Sequence, residues 1–220
     1  MTLNEYAPIV SAVPEPVNKR SYISPARQAK AEATRARIID AAARLFLEAG
    51  YERTTTGAIG KMAGTSEASV FAAFGSKASL LVSVVAAQVQ RHPDFPLRAQ
   101  PIWQQFARQP DKTTAIEEFA RVVCRAHARS WRLLAVAGAA AEGDPVVARA
   151  VAAAAGRRHA DVGWLLREVI GVPGPRLDRT TDEIWTLISV ENYRHLVIER
   201  SWPPGQYESW LAAMLSATLR

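Results

Sequence analysis

Thr55, Thr56, Thr65, Ser66, Glu67, Ala68, Ser69, Phe71, Ala72 and Lys77 fall within one stretch, TTGAIGKMAGTSEASVFAAFGSK, whose residue types suit contact with a polyanion better than bond-making chemistry. Thr55 or Thr56 caps a first short helix on which Ile59, Met62 and Ala63 share a face, and Gly64 stands where a left-handed stop is wanted. Ser66 caps a second helix, with Glu67 near its positive end and Val70, Phe71 and Phe74 on its apolar side. Gly75 ends it, and Ser76 opens another helix that carries Lys77, Leu80, Leu81 and Val84. Two short helices joined by a tight turn push the second outwards, so that it enters a DNA major groove. Thr65 to Ser69 and Ala72 then face base edges, while Thr55, Thr56 and Lys77 suit phosphates. Taken singly, the same residues are also ordinary caps and a surface lysine.

Other chemistry finds little support. Gly64-Thr65-Ser66-Glu67-Ala68 faintly imitates a nucleophile elbow but lacks the final glycine and a preceding strand. There is no glycine-rich phosphate loop and no His-Glu-x-x-His, and the four histidines are scattered. Neither an enzyme nor a cofactor is expected. Cys124 and His127 share a helical face. His127 reads as a hydrogen-bonding group in a pocket, as half of a metal pair, or as a satisfied interior histidine; the last needs no further ligands, and no metal site is expected.

The elements that position these residues are all helical. Ile38, Ile39, Ala42, Leu45, Phe46 and Ala49 form a stripe from Thr34 to a stop at Gly50. The helix of Lys77 continues to about Gln90, where His92-Pro93-Asp94-Phe95-Pro96 interrupts it. Helices follow over 98–108, with Ile102, Trp103 and Phe106, and over 112–142 as one or two segments. Others run from Pro145 to about Ile170, from Thr181 to Arg200, and from Gln206 to Leu219. No alternating strand pattern and no repeat appears, so the fold class is all-α: a three-helix head joined through a fourth helix to a larger body.

The run TRARIIDAAARLFLEAGYERTT, then IGKMAG, TSEASVFAAF and SKASLL, resembles the DNA-binding domain of the TetR family of transcriptional regulators. The tail IWTLISVENYRHLVIERSWPPGQYESWLAAML is similar to the final helices of many actinobacterial members. Residues 1–33, with Pro8, Pro14, Pro16 and Pro25 among small and polar residues, read as a flexible basic arm, and the resemblance implies a helix-turn-helix domain at 34–80 and an effector-binding and dimerisation domain at 81–220. It also implies a double-stranded DNA operator, a small apolar effector, and a homodimer built on the helices near 145–170 and 181–200. Trp103, Phe106, Phe119, Val123, Cys124, His127, Trp131, Trp164 and Trp185 are candidates for the effector pocket, against the alternative that they are simply core. The implied role is a ligand-responsive regulator, a repressor released by its effector. The rival is a helical effector-binding or protein-interaction protein whose head has weakened DNA binding. That rival rests on departures from the family pattern: Phe71, Ala72 and Ala73 stand where Tyr and often His touch phosphate, and Gly57 and Gly60 each cost the supporting helix about 1 kcal/mol relative to Ala. Lys19, Arg20, Arg27, Lys30, Arg35 and Arg37, opposed by Glu32, either form a solvated tail or follow the DNA backbone as a compensating arm.

Composition agrees. Hydrophobic residues make up 49% and charged residues 22%, as in globular proteins, and the net charge of +6 favours a polyanionic partner. No apolar run is long enough to span a bilayer, the N-terminus does not read as a signal peptide, and a single cysteine precludes an intrachain disulfide. A cytoplasmic protein is the expectation.

Overall fold

The structure, a computed structural model, describes residues 25–90 and 112–220. Most of the basic arm, and the helix expected at 98–108 with Trp103 and Phe106, lie outside the described residues. All described secondary structure is helical. α1 (Pro25–Arg53) begins well before Thr34, because Pro25 suits a first helical turn and nothing from Ala26 to Ala33 disfavours helix. Residues 25–33, expected in the arm, are therefore helical. Gly50, at φ 75° and ψ 176°, turns the chain, and Thr54 Oγ1 donates to Gly50 O at 2.7 Å to close the end.

α2 (Thr56–Met62), α3 (Glu67–Phe74) and α4 (Lys77–Gln90) follow as expected from their caps. Thr55 Oγ1 accepts from Ala58 N, Ser66 Oγ from Ser69 N and Ser76 Oγ from Ser79 N, at 3.0–3.1 Å. Gly64 (φ 65°) and Gly75 (φ 76°) supply the left-handed turns that bring α3 across α2 and return the chain into α4.

α5 (Lys112–Ala141) is one helix of 30 residues, about 45 Å long at 1.5 Å per residue. Its apolar stripe serves two cores. Ala115, Ile116, Phe119, Ala120, Val123 and Cys124 pack in the body with Leu166, Ile184, Tyr207 and Leu211. Leu133, Ala137 and Ala140 pack in the head with Ile38, Phe46, Ile59, Val70 and Leu81. Asp144 caps α6 (Pro145–Trp164), with Oδ1 2.9 Å from Val146 N, and Val147 at its start completes the head core. Wider π-helical turns at Leu165–Ile170 carry α6 to Gly171, whose φ is 77°.

The helix expected from Thr181 to Arg200 is broken. α7 runs Gly174–Leu187, and α8 runs Val190–Tyr193 with a π-helical extension Arg194–Glu199. Ser189, with φ −74° and ψ 150°, caps α8, and Asn192 Nδ2 donates to Thr186 O at 2.8 Å, so polar side chains interrupt an apolar pattern that continues through the break. α9 (Pro204–Thr218) buries Tyr207, Leu211 and Leu215, spaced one turn apart. Among the described residues no single helix is long and apolar enough to cross a membrane.

Candidate nucleic-acid interface

α3 buries Val70 and Phe74 and presents Glu67, Ala68, Phe71 and Ala72 outwards; Phe71 is 47% exposed. Its position depends on close contact with α2. Thr65 N donates to Gly60 O at 2.9 Å, and a Cβ on Gly60 would lie 3.1 Å from backbone atoms of Thr65, Ser66 and Glu67. Gly57 faces the Glu67 carboxylate, 3.5 Å from where its Cβ would be. Gly60 lets the two helices approach, so the flexibility expected of it is offset by packing, whereas a methyl at Gly57 would meet the carboxylate in ordinary contact.

Several expected contact residues also have internal partners. Thr56 is buried, and its hydroxyl donates to Glu67 Oε1, which turns that carboxylate towards α2. Ser66 and Ser69 hydroxyls bond each other at 2.9 Å. Thr55 is exposed and Thr65 half-buried at the turn. Lys77 Nζ donates to Tyr51 O at 2.9 Å and sits 4.2 Å above the Tyr51 ring, closing the end of α1. Arg35 Nη1 reaches Ala73 O at 2.6 Å across the Phe74 ring, and Arg37 Nε reaches Ala63 O at 3.3 Å. Each cation therefore sits at the negative end of a head helix. Periodicity does not reveal such bonds, since the partners of Arg35 and Arg37 lie 38 and 26 residues away.

The head is tied to the body by Tyr51, whose hydroxyl donates to Asp144 Oδ2 at 2.7 Å. Burial and this bond raise the Tyr51 phenol well above its ordinary value. The same bond, with those from Val146 N and Val147 N, holds the Asp144 carboxyl below the usual range.

In the body the expected effector residues separate into two groups. Phe119, Val123, Cys124 and His127 are buried together, while Trp131, Trp164 and Trp185 pack half-buried against that core. His127 Nε2 lies 3.1 Å from Ile188 O and donates to it, as an interior histidine does; burial lowers its pKa to about 4 and keeps it neutral. Burial pushes the Cys124 thiol up to about 11, so it stays protonated at neutral pH. Tyr193 and Tyr207, missed in the sequence, stand beside this group with ring centroids 5.3 Å apart. Tyr207 is fully buried, yet its hydroxyl has no hydrogen-bond partner. Trp164 lines a separate cleft of about 430 Å³ between α6 and α7, with His159, Arg167, Leu177 and Thr181. Trp185 lies against His159, at 5.8 Å between centroids, and beneath the Arg158 guanidinium.

Residues 38–84 match the family model of bacterial regulatory proteins, tetR family. They are a TetR-family helix-turn-helix head. Among solved structures, a TetR-family regulator candidate from Mesorhizobium loti is similar at 18% identity and a TM-score of 0.70, over 86% of this chain and 96% of that one. NalD, the secondary repressor of the MexAB-OprM multidrug efflux pump in Pseudomonas aeruginosa, is similar at 20% identity and a TM-score of 0.59, over 87% and 96%. The SmeT–triclosan complex is similar at 18% identity and a TM-score of 0.60, over 85% and 90%. At these identities the likeness is one of fold, and it extends through the body. No curated protein matches the chain. The Gly64–Ala68 stretch is the turn and the first residues of α3 in the TetR-type head; members of this family are transcriptional regulators rather than enzymes.

Proposed function

We propose that the chain is a transcriptional regulator that binds operator DNA as a homodimer and is released from it, as a repressor, by a small effector. The observation that carries this reading is α5, whose two halves belong to the two cores. A change in body packing is thereby a change at the base of the recognition helices. Effector and DNA binding are then linked reciprocally through one rigid element. The effector site is the interior around Phe119, Val123, Cys124, His127, Tyr193 and Tyr207, where a buried, unpartnered phenol lies among apolar walls. Aromatic, weakly polar molecules suit it. SmeT, solved with triclosan, supports that class. The homodimer uses α6 with α7 and α8, because Ala148, Ala152 and Ala155 allow close approach.

Gel-shift titration on fragments from upstream of its own gene, repeated with aromatic compounds, tests the whole reading. Specific binding that a compound reverses is expected. A second reading, a head with weakened DNA binding, is favoured by the internal partners of Arg35, Arg37 and Lys77. It predicts compound-dependent thermal stabilisation with no binding to any fragment.

A further inference from the structure

The outward face of α3 has an unusual chemistry for a surface that reads base pairs, and this deepens the DNA-binding reading on which it rests. Sequence is read in the major groove by donors and acceptors or by apolar contact with the thymine C5-methyl group. α3, EASVFAAF, carries no Arg, Lys, Asn or Gln. Its sole charged side chain, Glu67, accepts a hydrogen bond from the Thr56 hydroxyl and is drawn towards α2. The Ser66 and Ser69 hydroxyls bond each other, and Ser66 also caps Ser69 N. The exposed side chains of α3 with no polar group to offer are Ala68, Phe71 and Ala72, a methyl, a phenyl and a methyl within about one helical turn, with Phe71 47% exposed.

An exposed phenyl on a soluble protein has no stabilising partner of its own and gains by covering apolar surface. In a major groove that surface is the thymine methyl, since the other base edges offer polar groups. We infer that α3 recognises its half-site by apolar contact with thymine methyl groups, with Phe71 as the principal specificity-determining residue and Ala68 and Ala72 shaping the cavity that receives them. Phosphate contacts from helix starts set the register and carry no base preference.

The full-length protein is first used to select binders from a library of random duplexes. The selected duplex is then remade with each half-site thymine replaced by deoxyuridine, which removes the methyl and leaves base pairing intact. The selected half-sites should contain T·A pairs under α3, and each critical replacement should weaken binding about fourfold, the value of one buried CH₂. Phe71→Ala, at an exposed position, should fold as the parent does by circular dichroism, bind less tightly and lose most of its sensitivity to deoxyuridine. Three results would overturn the inference: selected half-sites made of G·C pairs, full tolerance of deoxyuridine, or an unchanged penalty in Phe71→Ala. If no duplex is enriched even at low salt, the DNA-binding reading fails and takes this one with it. Enrichment of sites indifferent to deoxyuridine overturns this inference alone.

Discussion

Head and body treat their polar groups in opposite ways. In the head, the ends of α1, α2 and α3 are closed by Lys77, Arg37 and Arg35, and the starts of α2 and α3 by threonine and serine side chains. In the body, Arg158 Nε, Trp185 Nε1 and Tyr207 Oη are buried without a hydrogen-bond partner, and among the described residues such atoms occur nowhere else. A satisfied network fixes one arrangement; an unsatisfied one leaves free energy that a bound molecule recovers. The head is thus built to hold a geometry and the body to have its geometry altered, and α5 joins the two.

The strongest way to break that contrast is to cut α5 inside the head. Leu133 is 4% exposed and belongs to the head core although it lies on a body helix. Leu133→Ala should cost about 2–5 kcal/mol. If the cores are coupled, urea unfolding followed by near-UV and far-UV signals will shift as one transition; if the head is autonomous, the two signals will separate.

Acid sharpens the contrast, because residues 25–90 contain no histidine and the body holds His127 neutral. Its pKa of about 4 lies below the ordinary 6.5, so as pH falls the unfolded chain takes up the proton first. Stability is therefore full above about pH 6.5 and is lost progressively down to about pH 4, by on the order of 3 kcal/mol at 1.36 kcal/mol per pH unit. His127→Gln should flatten the profile in that window, as measured by denaturant midpoints at several pH values.

Much of this was legible in the sequence, and the limits have physical causes. Caps and stops are local chemistry, so Thr55, Gly64, Ser66, Gly75 and Pro145 stand where their types imply. The break at Ser189 was hidden because Ile184, Ile188 and Tyr193 keep a nearly helical apolar spacing through it. Roles that depend on distant backbone are not readable from local pattern: Lys77 also closes α1 through Tyr51 O, and Gly60, a cost by helix propensity alone, admits the turn before α3. Gly60→Ala tests that last point. Better helix propensity returns about 1 kcal/mol, whereas forcing a methyl against backbone costs about 1–3 kcal/mol. A net loss of about 1 kcal/mol in thermal unfolding, with a larger proportional loss of DNA affinity, is expected; unchanged DNA binding would mean that α3 is not positioned through this contact.

The smallest effect on stability, and the most informative about coupling, should come from Tyr51→Phe. The substitution keeps the ring beneath Lys77 and removes the hydroxyl that donates to Asp144. Asp144 still caps α6 through Val146 N, so neither helix loses its start. What is lost is the side-chain hydrogen bond that ties the head's first helix to the N-terminus of α6, which runs on towards the body core through Val162, Leu165 and Leu166. If effector binding acts on the head through α6 as well as α5, Tyr51→Phe should bind operator nearly as the parent does but need more effector for release. The same ratio must appear in reverse, as a weaker effect of DNA on effector affinity. Equal effector response in parent and variant would mean that the Tyr51–Asp144 bond carries no coupling and that coupling passes through the packing of α5, and of α6 at Val147, alone.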